Sequence, residues 1–233
     1  EDRERLIDHL AVQLAVRMGY VISTWHEVLT SFGFHGVAGI PEEQSAFAYD
    51  DQPSHLLGAV AAGEAIRQMQ SADTTYNQAM TAALAEVLAD YGALDSSGTR
   101  QAVASAKGVW WGLEGPSMRQ VHLGMRGEPF TPKLIPPAEG DSAPVSTTPE
   151  SPNPLEPTAT PAPYTWQAPT LTLGPRWLPT HGLLPAVRID IDPRTRFADE
   201  LYEIAGHEGP WLDLDHDGPA LKAHLESLFN PAP

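Results

Sequence analysis

The sequence contains no cysteine, which excludes disulfides, thiolate metal sites and thiol nucleophiles together. That absence does not locate the protein, because a Cys-free chain suits oxidising and reducing compartments alike. Basic residues are also scarce: 14 Lys and Arg stand against 30 Asp and Glu, a net charge of −16. No Lys or Arg run occurs, so a nucleic-acid or anionic-membrane surface is not expected. The acidic excess reads most simply as a solvated face. No apolar run approaches the ~20 residues that span a bilayer, and no signal peptide is recognisable. The chain opens on Glu1-Asp2-Arg3-Glu4 without Met and is expected to be a processed or truncated product. A Gly-rich phosphate loop and a Gly-x-Ser-x-Gly elbow are missing too. Thr30 stands where a His-Glu-x-x-His motif starting at His26 would need its second His. Nucleotide hydrolysis, serine-esterase chemistry and the common zinc-protease helix therefore lack support.

What is present begins with helical periodicity. Leu6, Leu10, Leu14, Met18, Val21, Trp25, Leu29 and Phe32 recur at steps of three and four, one stripe of a helix from about Arg3 to Phe32. Gly33 is its expected stop. A second face carries Asp8, Ala11, Ala15, Gly19, Ile22 and His26, small residues that would let another helix approach closely. On this reading His26 lies at the end of a packed seam. Glu27 is turned ~100° away, toward the polar face with His9 and Arg5. After a Gly-rich loop, Asp50-Asp51-Gln52-Pro53-Ser54 opens a second helix, with Asp51 or Ser54 as cap and Pro53 in the first turn. Further helices are expected over about 75–91 and 99–107. The Trp110-Trp111 pair between Gly108 and Gly112 reads as core. Met118 to Met125 and Phe130 to Ile135 suggest a hairpin around Arg126-Gly127-Glu128.

Nine of the 33 residues from Pro136 to Ala168 are Pro and none is Lys or Arg. Such a stretch buries too little apolar surface to order itself and reads as a disordered linker. The expected division is a helical domain with a terminal hairpin over 1–135, the linker over 136–168, and a small α/β segment over 169–233 that packs back on the first. Within that segment 170–173 and 186–191 read as strands and about 195–204 as a helix. A terminal helix runs from about Pro219 to Phe229 with Asp217 or Gly218 as cap. The fold class is thus α+β, mainly α-helical, a long central helix packed by two or three others with a small antiparallel β component.

His26, Glu27, Asp50, Asp51 and His55 form the leading constellation. Imidazoles and carboxylates from two helix ends are the ligand set for Zn²⁺ or Mn²⁺. His26, Asp50 and His55 are the expected ligands, with Glu27 or Asp51 as general base toward a metal-activated water. The competing reading makes Asp50 and Asp51 helix caps, His55 a first-turn residue and His26 a core histidine. Asp213, Asp215, Asp217 and Gly218 match the first half of a calcium loop. However, His224 replaces its bidentate Glu and Pro219 follows the Gly, so capping is the preferred reading and calcium is not expected. His207-Glu208-Gly209-Pro210 and His216-Asp217-Gly218-Pro219 echo each other.

The stretches Gly19-Tyr-Val-Ile-Ser-Thr-Trp-His-Glu-Val-Leu-Thr-Ser-Phe-Gly33 and Ser45-Ala-Phe-Ala-Tyr-Asp-Asp-Gln-Pro-Ser-His-Leu-Leu-Gly58 resemble a bacterial family known as domain of unknown function 4056. Arg119-Gln-Val-His-Leu-Gly-Met-Arg-Gly-Glu-Pro-Phe-Thr-Pro132 looks like its continuation. The resemblance implies a periplasmic or outer-membrane setting and attaches weight to His26, Glu27 and Asp50 without naming a reaction. It also implies an upstream Gly-Phe-Ile-Asp segment that this chain starts too late to include. Two functions follow as expectations. One is an envelope protein with a metal-dependent, hydrolase-like site. The other is a non-enzymatic envelope module that binds a protein or cell-wall partner.

Overall fold

The computed structural model describes residues 2–35, 42–71, 73–90, 93–106, 111–112, 115–116, 119–125, 130, 188–192, 194–207 and 211–229. Among them the elements run α1 Asp2–Ser31, α2 Asp51–Ser71, α3 Tyr76–Asp90, α4 Ser96–Ala106, β1 Trp111–Gly112, β2 Gly115–Pro116, β3 Arg188–Asp190, α5 Ala198–Ala205, β4 Trp211–Asp213 and α6 Leu214–Phe229. The protein is α+β and mainly helical. No described helix is long and apolar enough to cross a membrane.

At 30 residues α1 is the spine, about 45 Å long at ~1.5 Å per residue. Its inward arc is Val12, Val16, Tyr20, Val21, Trp25 and Val28. This departs from the small-residue seam expected from the sequence. Asp8, Ala11, Ala15, Gly19, Ile22 and His26 are all exposed, and a Cβ added at Gly19 would meet nothing within 4 Å. The reason is area: a Val, Tyr and Trp arc removes far more apolar surface from water per turn than an Ala and Gly arc. The stripe itself is buried only toward its C-terminal end, since Leu6 and Met18 lie 56% and 46% exposed.

α2 returns antiparallel along α1. Val12, Val16 and Tyr20 pack with Leu56, flanked by Leu57, Val60 and Ile66. The expected meeting of the end of α1 with the start of α2 is present, through the valine face. α3 packs on α2 through Ala65, Ala79 and Ala83, residues small enough for close helix approach.

The C-terminal half of α1 meets the rest of the chain in the largest core cluster. There Trp25, Val28 and Phe32 join Phe47, Leu123, Leu201, Leu212, Leu221 and Leu225. Each leucine so buried contributes about 1.5–3 kcal/mol relative to exposure. β3 and β4 pair antiparallel with Ile189 opposite Leu212, beside α5 and α6. Arg17, 2% exposed, brings a positive charge into this packing and donates to the Gly124 carbonyl at 2.7 Å and to Asp215 Oδ1 at 2.9 Å. Gly124 needs to be glycine. Its φ is +62° and a Cβ there would lie 2.2 Å from Tyr20 Cε1.

Two local expectations are corrected. α6 begins at Leu214, not near Pro219, because Asp213 Oδ1 accepts the Asp215 N–H at 2.8 Å and starts the helix there. Pro219 sits inside it at the cost of one backbone hydrogen bond. The described hairpin is the Trp111–Pro116 pairing, upstream of the one expected. Its place is taken in part by a bridge between Ala48 and Arg119. The remainder of the expected hairpin (126–129 and 131–135), the linker, the strand over 170–173 and Trp110 lie outside the described residues.

Candidate functional site

The end of α1, the turn before α2 and the first turn of α2 converge on Glu27. Contrary to the sequence expectation, Glu27 faces inward at 6% exposed while its neighbour His26 is exposed. A helix end buried on the Trp25–Val28 arc carries Glu27 in with it. Glu27 Oε2 accepts the Phe47 N–H at 3.0 Å, and Oε1 lies 3.7 Å from His55 Nε2. Phe47 is fully buried with φ of 56°, a left-handed conformation that costs a bulky residue about 1–3 kcal/mol. It aims this amide at the carboxylate.

Asp51, the first residue of α2, completes the centre. Its carboxyl is within hydrogen-bonding reach of Glu27, and its pKa is pushed up to about 8. Burial is the main cause, followed by the charges of Glu27 and Asp50, outweighing a lowering hydrogen bond from the Ala48 backbone. Burial and the Glu27 charge therefore keep the Asp51 carboxyl protonated into the neutral range. His55 is kept below its usual pKa by burial. The Glu27 charge pulls it up and the neighbouring His26 pushes it down. Asp51 Oδ2 and His55 Nδ1 are buried and without a hydrogen-bond partner among the described residues. Both atoms thus keep hydrogen-bonding capacity to spare, as do Gln52 Nε2 and Trp25 Nε1 elsewhere in α2 and α1.

Of the five residues anticipated, then, Glu27, Asp51 and His55 are gathered into one cluster. Asp50 is exposed on the turn beside it and reaches Asp51 through its charge alone. His26 is near enough to His55 to affect it, yet its ring lies edge-on to Phe34 at 6.3 Å. It lines a separate apolar groove of about 380 Å³ with Ile22, Trp25, Ile191 and Phe197.

Arg119 was not singled out by its sequence context alone, although it opens the third stretch of the family resemblance. Its guanidinium donates to the carbonyls of Glu43, Gln44 and Ala46 and lies 4.6 Å over the Phe229 ring. Burial lowers its pKa, while Asp51 and Glu27 act the other way. It thus ties the 43–48 turn to α6. Below it a buried polar network links Tyr20 to Gln52 at 3.1 Å and to His122 Nδ1 at 2.9 Å, fixing the register of α1 against α2.

These elements thus bring two carboxyls and an imidazole together at the α1–α2 end, with Arg119 nearby. Residues 1–120 match the family model described as "Protein of unknown function (DUF4056)", and the chain belongs to that family. No curated protein and no solved structure matches it.

Proposed function

We propose that this chain is a cell-envelope hydrolase whose acid–base centre is the Glu27–Asp51 pair with His55. The observation that supports it most is the pair itself: two adjoining carboxyls, a neighbouring imidazole, and orphaned Asp51 Oδ2 and His55 Nδ1 in one buried place. Glu27 acts as base toward a water molecule, while protonated Asp51 donates to the leaving group. A carboxyl that keeps its proton up to about pH 8 is suited to the acid's task. In an alternative, metal-loaded form a divalent cation such as Zn²⁺ or Mn²⁺ would sit between His55 and Glu27, whose facing atoms are 3.7 Å apart, and would take over the acid's role from the Asp51 proton. The envelope setting rests on the family resemblance alone.

The test is a panel of ester, phosphoester, peptide and glycoside substrates, assayed with and without added Zn²⁺ or Mn²⁺. Turnover of one class, lowered at least ~100-fold by Glu27→Gln in a protein that still melts cooperatively, is expected. A wild-type protein inert across the panel, or equal turnover in the variant, overturns it. The non-enzymatic alternative, an envelope module that binds a partner, has one observation of its own. Leu6, Ile7, Met18 and Ile22 lie 46–56% exposed along α1, an apolar row of the kind that meets another surface.

A further inference from the structure

We infer that the junction between α5 and α6 is a second and separate metal site, for Zn²⁺ or a similar borderline transition-metal ion. The ligands are His207, His216 and Asp217.

Three residues from two segments converge there. His207 follows the C-terminal turn of α5, and His216 and Asp217 lie in the first turn of α6. One ligand atom from each can be chosen so that all lie within 4.8 Å of one another. Asp217 Oδ1 is 3.1 Å from His207 Nε2 and 2.5 Å from His216 Nδ1. Tetrahedral ligands on bonds of ~2.0–2.1 Å are separated by roughly 3.3 Å, so the trio needs only small side-chain adjustments to enclose an ion.

The trio is also held in place. The Asp217 side chain is completely buried, and its Oδ2 accepts the Asp213 N–H at 2.7 Å. That bond fixes the carboxylate and leaves Oδ1 turned to the imidazoles. His207 lies 5.5 Å from the Trp211 ring, on which the Arg188 guanidinium is stacked at 4.0 Å. This packing restrains the His207 ring beside Asp217. His216, 70% exposed, gives access from solvent.

The donor set selects the metal. Two imidazole nitrogens and one carboxylate oxygen suit Zn²⁺, Co²⁺ or Ni²⁺ and are poor for Ca²⁺, which takes six to eight oxygens. The nearby Asp213 and Asp215 are otherwise engaged. Asp213 Oδ1 receives the Asp215 N–H and Asp215 Oδ1 receives Arg17, so the half calcium loop offers no oxygen cage. Bound metal would clamp the end of α5 to the start of α6.

The experiment is calorimetric titration of the full chain with ZnCl₂, paired with Co²⁺ absorption spectra as a readout of tetrahedral N/O coordination. Wild type is expected to bind one equivalent at this site. His207→Ala/His216→Ala should lose it by at least a hundredfold in affinity, and His216→Ala alone by at least tenfold. The Glu27→Gln/His55→Ala variant should keep it, which separates this site from the carboxyl pair whatever the fate of the proposed hydrolase. Should the double variant fail to fold, the exposed His216→Ala variant decides alone. Absence of Zn²⁺ binding by wild type, or affinity unchanged in His216→Ala, overturns the assignment.

Discussion

Two acidic clusters in this molecule are built from the same residue types and behave in opposite ways. At the α6 start, Asp213 and Asp217 each accept a backbone N–H, from Asp215 and Asp213 respectively. Their charges are solvated by the protein's own amides. At the α1–α2 end, Glu27 has one such amide from Phe47, but Asp51 is set against Glu27 and buried, with its pKa pushed to about 8. The difference teaches that placement, not composition, decides whether a carboxyl group is structural or poised to exchange protons. Charge satisfied by fixed dipoles is quiet, whereas charge confronted by like charge holds a proton into the neutral range.

The largest effect that would break this contrast lies on the quiet side. Asp217→Ala removes the partner of the Asp213 amide and of two imidazoles from a fully buried position. It should cost about 3 kcal/mol in urea unfolding. A loss below ~1 kcal/mol would mean that the α6 start does not depend on that carboxylate.

A smaller, pH-dependent effect is expected at the other cluster. Asp51 has its pKa raised from 3.8 to about 8 on folding. Between those values the native state holds a proton that the unfolded state has released. Its stabilising contribution is complete below ~4 and is lost as pH rises through ~8. Asp51→Asn removes that dependence, so the variant should gain on wild type by on the order of 1–2 kcal/mol between pH 5 and 8, after allowance for partial exposure. His55, whose pKa is lowered, contributes the opposite slope below ~6.5. Parallel stability–pH curves for the two proteins would show that Asp51 is ionised throughout. A direct version is carbonyl NMR titration: Glu27→Gln should bring the Asp51 midpoint down toward the ordinary range. The smallest effect is His216→Ala without metal. At 70% exposed it should alter stability by less than ~0.5 kcal/mol, and a loss above ~1.5 kcal/mol would make His216 a structural partner of Asp217.

Much of this was legible in the sequence. The three- and four-residue spacing located α1 to within a residue, and Asp50-Asp51-Gln52-Pro53-Ser54 located the start of α2. The pairing of those two ends is legible in helix geometry, but the ligand group it points to is His26, Asp50 and His55, not the Glu27, Asp51 and His55 cluster that the structure gathers. Which face of α1 turns inward did not, because small residues and valines both make plausible seams and only the competition for buried area decides. Glu27 was therefore placed outward and His26 inward, the reverse of the structure. Arg119 and His122 were invisible for another reason: they reach the site across more than 70 residues of chain, and periodicity reports only neighbours. The His207, His216 and Asp217 trio did leave a trace in the His207/His216 echo, but spacing alone does not report that Asp217 stands within 3.1 Å of His207.

Arg17 binds Asp215 across 198 residues, which has a consequence for synthesis on the ribosome. At ~5–20 residues per second, roughly 10–40 s separate the appearance of this arginine from that of its carboxylate. Over that interval α1 can coil, but the arc carrying Arg17 cannot close without stranding a charge. The nascent chain should thus stay open along this seam until α6 emerges.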